Sequence, residues 1–283
     1  MERTRVVSVS FLNAAPLTEG LAGVEGVDLQ TAVPSRIAGM LERQEADVGL
    51  VSVVDAQRSP VPLALLPVGG IGCRGPTLTV RLFSAVPPER ITTLHADTDS
   101  NTSVALARVL LSETHGVRPD VVDFDARERT PAASEAGPNE AWPETLLLIG
   151  DKVVTDSPPA VRYPYQIDLG EQWFERTGLP FVYAAWACRA ADATTPRVRT
   201  AAALLDRTRR RNTHRLDWLV TRHAERGDWP ADLARRYVGE LLRYEIDADA
   251  RAGVAAFAER ASAMGLCARR EPIWADPEPA ETD

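Results

Sequence analysis

The sequence predicts an α/β protein of two lobes with a cleft between them. Three observations carry this. Short apolar runs alternate with helical patterns, which is how parallel sheets are written. Two extended, mostly apolar segments at 78–85 and 181–188 bracket the middle of the chain, as two crossings between lobes would. The opening run Val6-Val7-Ser8-Val9-Ser10-Phe11-Leu12-Asn13-Ala14-Ala15-Pro16-Leu17 ends a buried strand on an amide and restarts as a helix, where open α/β sheets hold ligands.

In chain order, residues 5–10 form a strand and 15–22 a short helix, with Pro16 in its first turn where a missing N–H costs least. A strand at 27–33 leads into a helix opened by Pro34-Ser35-Arg36, with Ile37, Met40 and Leu41 at helical spacing. Residues 47–54 are almost continuously apolar, as in a strand buried on both faces. A strand at 63–68 runs into Gly69-Gly70-Ile71-Gly72-Cys73-Arg74-Gly75-Pro76, which reads as a bend bringing backbone close to a ligand. A second α/β unit follows, with strands at 91–95, 121–124 and 145–149 and a helix at 103–114. The stretch 127–144, rich in Pro, Ala, Glu and Gly, reads as a surface loop. Helices follow at 168–177, 197–224, 231–244 and 248–264, and the acidic tail 276–283 reads as frayed. The expected division is a first lobe of residues 1–84 and 185–283 and an inserted second lobe of 85–184.

Composition narrows the function. The 283 residues carry a formal net charge of -8, which argues against nucleic acid as the main partner. It does not exclude a small anion, because helix termini bind anions inside acidic proteins. The 3 cysteines, Cys73, Cys188 and Cys267, have no redox or metal spacing and read as free thiols in a reducing compartment. The amino terminus is too polar for a signal peptide, and no apolar run is long enough to cross a membrane. A cytoplasmic protein without membrane attachment is expected, and a homodimer is left open.

The candidate site residues follow from position. Asn13 either holds a ligand at its strand end or caps a turn. Asn101-Thr102-Ser103 opens a helix with free N–H groups and hydroxyls suited to a carboxylate, or caps it in the ordinary way. Ser35 starts a similar helix. Ser52 ends the third strand facing the cleft, and Asp55 caps a turn. Asp151, after Ile149-Gly150, either acts as a base or serves structure. Arg207-Thr208-Arg209-Arg210-Arg211 reads as a solvated helix face. His95, His115, His214 and His223 lack metal-ligand spacing, and no nucleotide or acyl-serine motif is present, so neither metal nor cofactor is expected.

Together these segments resemble the chorismate dehydratases of the futalosine route to menaquinone. The matching pieces are Ser10-Phe11-Leu12-Asn13-Ala14-Ala15-Pro16-Leu17, Pro34-Ser35, Ala46-Asp47-Val48-Gly49-Leu50-Val51-Ser52, Val80-Arg81-Leu82-Phe83-Ser84, Asp99-Ser100-Asn101-Thr102-Ser103, Ile149-Gly150-Asp151, Asp168-Leu169-Gly170-Glu171-Gln172-Trp173 and Thr177-Gly178-Leu179-Pro180-Phe181-Val182-Tyr183-Ala184. The resemblance implies a two-lobed, periplasmic-binding-protein-like (type II) fold that is catalytic. It implies Asn13 and Thr79 as contacts to the reacting region, where the family usually has Ser in place of Thr79. Around them, Ser35, Ser52, Gly75, Asn101, Thr102, Ser103 and Asp151 are expected to bind substrate. The expected reaction is dehydration of chorismate to 3-[(1-carboxyvinyl)oxy]benzoate, with the substrate's own side-chain carboxylate taking the proton. The rival readings are a 1,4-dihydroxy-6-naphthoate synthase-like enzyme and a non-catalytic small-anion-binding protein.

Overall fold

The structure is a computed structural model that describes residues 3–97, 99–124, 142–224 and 229–275. The expected loop at 127–144 falls mostly outside the described residues, and the tail at 276–283 wholly so.

The first half-sheet forms as the apolar runs dictate. β1 (Thr4–Ser8), β2 (Val27–Thr31) and β3 (Val48–Ser52) pair in parallel. Between them lie the one-turn helix α1 (Ala15–Thr18) and the helix α2 (Pro34–Glu42). α2 packs on β3 so closely that a Cβ at Gly49 would lie 2.6 Å from Ile37 Cγ2. α3 (Val53–Arg58) follows β3 directly.

β4 runs unbroken from Leu63 to Cys73, which corrects the expected bend at the glycines. β4 lies against a late strand, β10, and a Cβ at Gly70 or Gly72 would come within 2.6 Å of the Ala184 or Phe181 carbonyl oxygen. The glycines here admit a neighbouring backbone rather than a turn.

The chain then enters a second sheet. β5 (Val80–Ser84), β6 (Thr93–Asp97), β7 (Asp120–Phe124), β8 (Thr145–Ile149) and β9 (Tyr165–Asp168) lie in the order β7-β6-β8-β5-β9. α4 (Asn101–His115), α5 (Lys152–Thr155) and α6 (Leu169–Thr177) belong to this unit. β10 (Phe181–Arg189) returns to the first sheet between β3 and β4, antiparallel to both. Both sheets are therefore mixed, since each crossing strand runs against its new neighbours. β5 pairs wholly in the second sheet and β10 wholly in the first, so the chain passes between the sheets at 74–79 and 178–180.

The carboxy-terminal part is less continuous than its apolar stripes suggest. α7 (Pro196–Thr213) and α8 (Leu216–Ala224) are separate helices. α9 (Ala231–Arg236) passes into a π-helical turn over Tyr237–Leu241 and then into the short strand β11 (Leu242–Arg243), which pairs with β4. α10 (Ala248–Ala263) precedes β12 (Ile273–Trp274), which runs parallel to β4.

Aromatic rings weld the crossings together. Trp173 on α6 meets Phe181 on β10 edge-on at 5.3 Å, and Phe181 meets Phe257 on α10 at 5.0 Å. Edge-to-face contacts of this kind add to the burial energy of each ring. α10 approaches this cluster through Gly253, where a Cβ would overlap the Pro180 carbonyl oxygen. Helix propensity favours alanine over glycine by about 1 kcal/mol. The Pro180 oxygen is main chain and cannot rotate away, so overlap wins. Gly253→Ala is expected to cost a net of about 2 kcal/mol, read as a lowered midpoint in chemical denaturation.

No helix among the described residues is long and apolar enough to cross a membrane. The three cysteines are unpaired.

Candidate functional site

One cavity lies where the ends of the two sheets face each other. The first-sheet side contributes Val9, Phe11, Asn13, Leu50, Ser52 and Ala184. The second-sheet side contributes Val80, Asp99, Ser100, Ser103, Ile149 and Gly150. Thr77 and Thr79 reach in from the crossing segment, and Tyr183 and Tyr237 also line the cavity.

Asn13 sits in the turn after β1 and lines the cavity. Its Oδ1 is buried and has no hydrogen-bond partner, so it caps no turn. The Thr79 hydroxyl lies 2.7 Å from the Tyr237 hydroxyl. The Thr77 hydroxyl lies 2.7 Å from Tyr183 and 3.2 Å from the Cys73 sulfur. Burial pushes the Cys73 thiol up to about 12, so it is no nucleophile at neutral pH. Burial likewise raises both tyrosines, which stay protonated donors.

Ser103 and the N-cap Ser100 present the start of α4 to the cavity, and the Ser100 side chain accepts from the Ser103 N–H. Thr102 does not join them. A residue one step along a helix points about 100° away, and Thr102 turns to the first lobe. Its hydroxyl lies 2.6 Å from that of Ser52 and accepts from the Val54 N–H at 3.3 Å. Asn101 also faces across, donating to Asp55 Oδ1 at 2.9 Å. These two residues hold the lobes together. Ser52 reaches the cavity wall, but its hydroxyl is engaged by Thr102 and caps α3 through the Asp55 N–H.

Three other expected contacts lie off the cavity wall. At the start of α2 the cavity meets Pro34, while the Ser35 side chain does not line it. Gly75, at φ 110°, packs its carbonyl against Gly170 at the start of α6. Asp151 does not cap α5. Burial raises its carboxyl above the usual range. Gly150 reaches the cavity in its place.

The electrostatics are balanced by one lysine. Asp99 lines the cavity, and Lys152 Nζ lies 2.7 Å from its Oδ2 and 2.5 Å from Asp97 Oδ2. This cation offsets a carboxylate that would otherwise repel an anionic ligand. None of the four histidines lines the cavity.

Asp55 carries a measurable pH effect. Its Oδ2 is buried without a partner, and burial raises the carboxyl above the ordinary range, partly offset by Asn101. The folded protein thus holds this proton more tightly than the unfolded chain. Stability from this group is greatest at low pH and is lost as pH rises from the ordinary carboxylate range through the raised value. Asp55→Asn keeps the acceptor for Asn101 and removes the charge. Denaturation midpoints at pH 4 and pH 7 should then differ less than in the wild type, with the variant gaining about 1 kcal/mol at pH 7.

Thr77, Tyr183, Tyr237 and Lys152 escape a reading of the sequence.

Fold and cavity together define a two-lobed α/β protein of the periplasmic-binding-protein type, with a cavity at the lobe junction. Solved structures share this fold. The alkanesulfonate-binding protein SsuA of Xanthomonas axonopodis pv. citri, bound to MOPS, superposes with a TM-score of 0.66 at 12% identity, covering 96% of each chain. The periplasmic aliphatic sulphonate binding protein SsuA of Escherichia coli gives 0.64 at 14% identity, covering 100% of this chain and 95% of its own. Sequence comparison is more specific. Residues 4–263 match the family described as menaquinone biosynthesis, and the chain belongs to that family. A chorismate dehydratase of Thermus thermophilus is 30% identical over 270 residues, 90% of this chain and 93% of that protein.

Proposed function

We propose that this chain is a carbon–oxygen lyase that dehydrates chorismate to 3-[(1-carboxyvinyl)oxy]benzoate. The family membership and the chorismate dehydratase relative support the substrate. The observation that carries the reading is the unpartnered, buried Asn13 Oδ1 in a cavity that also holds Thr79. The substrate has a ring carboxylate, a side-chain carboxylate and a C4 hydroxyl. A ring hydroxyl matches a neutral acceptor paired with a neutral donor, which is what Asn13 and Thr79 provide.

The reaction needs placement more than force. The C3–H bond breaks and its electron pair becomes a ring double bond. The C4–O bond breaks, and the departing hydroxide takes up a proton as water. Aromatisation drives both steps, so orientation and charge placement are the protein's part. The substrate's side-chain carboxylate takes the C3 proton in this reading, because the cavity-lining carboxylate of Asp99 is held by Lys152. The α4 start at Ser103 and the α2 start at Ser35 hold the carboxylates, the latter through backbone rather than its side chain. In the same reading the two lobes, the expected 1–84 with 185–283 and 85–184 redrawn at the sheet crossings 74–79 and 178–180, move about those crossings.

The test is incubation of purified protein with chorismate, followed by ultraviolet absorbance and proton NMR for the aromatic enol ether. Stoichiometric product supports the reading. Unchanged chorismate at micromolar enzyme overturns it.

A further inference from the structure

Of the 32 lysine and arginine residues in this chain, only Lys152 is a lysine. It opens α5, two residues beyond Gly150 of the cavity wall. Its ammonium lies 2.5 Å from Asp97 Oδ2 and 2.7 Å from Asp99 Oδ2, and the Asp97 side chain is wholly enclosed. An ammonium is a compact charge with three donors and can serve two carboxylates from different directions, whereas the planar fork of arginine is matched to one. The position calls for the one basic residue that the chain uses nowhere else.

The three side chains join two walls of the cavity. Asp97 ends β6, and its Oδ1 accepts from the Asp99 N–H at 3.1 Å. Asp99 and Ser100 then lead into α4, whose first turn faces the cavity through Ser100 and Ser103. On the other wall, the Gly150 N–H donates to the Thr79 carbonyl oxygen at 2.8 Å. Among the described residues that line the cavity, Asp99 is the one carboxylate, and no lysine, arginine or histidine is with it. A ligand carboxylate at the α4 start therefore sits beside Asp99. Like charges this close, in a partly buried site, repel more strongly than one helix terminus attracts.

We infer that Lys152 is a specificity-determining residue: by neutralising Asp99 it sets how many negative charges the cavity accepts, and so admits a dicarboxylate. Lys152 acts through Asp99 and does not itself line the cavity. The inference deepens the proposed dehydration and rests on it for the identity of the dicarboxylate.

Two aromatic acids that the protein cannot dehydrate test this by NMR titration. 3-(Carboxymethoxy)benzoate carries two carboxylates, and 3-(carboxymethoxy)benzamide has the same outline with one of them replaced by a neutral amide. Lys152→Met should weaken the dicarboxylate about thirtyfold and the amide acid less than about threefold, because only the former brings the extra charge. Asp99→Asn on the Lys152→Met background should return the dicarboxylate to within about threefold of wild type, since without the carboxylate its counter-ion is not needed. A lysine that serves structure alone predicts equal losses for both acids and no recovery, and either result overturns the inference. On chorismate, Lys152→Met should raise KM about thirtyfold with kcat little changed. Should Lys152→Met not fold, Asp99→Asn alone decides. It leaves Lys152 paired with Asp97 and should tighten the dicarboxylate about threefold, and unchanged or weaker binding overturns the inference. Wild-type protein that binds no dicarboxylate at about 1 mM overturns it as well. If wild type leaves chorismate untouched yet the charge discrimination holds, the proposed reaction fails and the role of Lys152 stands.

Discussion

Asn13→Ala lowers kcat on chorismate about 10²–10³-fold while KM changes far less. The reasoning starts from Oδ1, a buried acceptor with nothing bound to it in the resting protein. Such a group is stabilised only when ligand arrives, and most when the ligand hydroxyl is being separated from its carbon. Alanine removes that acceptor, so the departing oxygen loses its support. The backbone of the turn keeps its hydrogen bond from the Ala14 N–H to the Phe11 oxygen, so the fold tolerates the change. Steady-state kinetics on the variant, with its melting temperature as a control, checks the result. A variant with wild-type kcat would remove Asn13 from the mechanism.

Asp168→Ala has the largest expected effect on stability. One carboxylate accepts from four main-chain donors. These are the N–H groups of Thr77 (2.9 Å) and Leu78 (2.6 Å) in the crossing segment, and of Gly170 (3.0 Å) and Glu171 (3.2 Å) at the start of α6. Leu78 is held at φ 74°, a left-handed conformation that costs a branched residue energy and persists only where neighbours enforce it. Alanine would strand four donors, most of them buried, and release Leu78. The expected loss is about 3–5 kcal/mol, seen as a shifted urea midpoint. Asp168→Asn should fall between, since it keeps one acceptor oxygen. Thr79 follows directly on this segment, so folded variant protein should also lose activity.

The fold was legible where chemistry is local. The β1 run ending on Asn13, the continuous apolar β3 ending on Ser52 and the hydroxyl-rich start of α4 each announced themselves in a few residues. Those signals picked out Asn13, Ser52 and Ser103, which line one cavity, while Thr79 came only from the family resemblance. They misjudged orientation. Ser100 and Ser103 share a helix face, and Thr102 looks the other way, toward Ser52. The glycines of β4 mislead because glycine most often marks a turn, whereas here it admits the β10 backbone, a contact no local pattern encodes. Tyr237 was invisible for the same reason: its partner Thr79 lies 158 residues away in the chain. The helices from α7 onward read as too long because their apolar stripe continues across the break between Thr213 and Leu216.

The seat of β10 between β3 and β4 also bears on synthesis at the ribosome. The strands of the second sheet come from one uninterrupted stretch, Val80–Asp168, and can pair as soon as they emerge. The first sheet cannot close until Phe181–Arg189 follows them out. Until then β3 is open on the edge away from β1 and β4 has no neighbour, which is when chaperone capture and sticking to other chains are most frequent. Slowing translation once Phe181–Arg189 has left the ribosome would therefore protect the yield of native protein more than slowing it before that point.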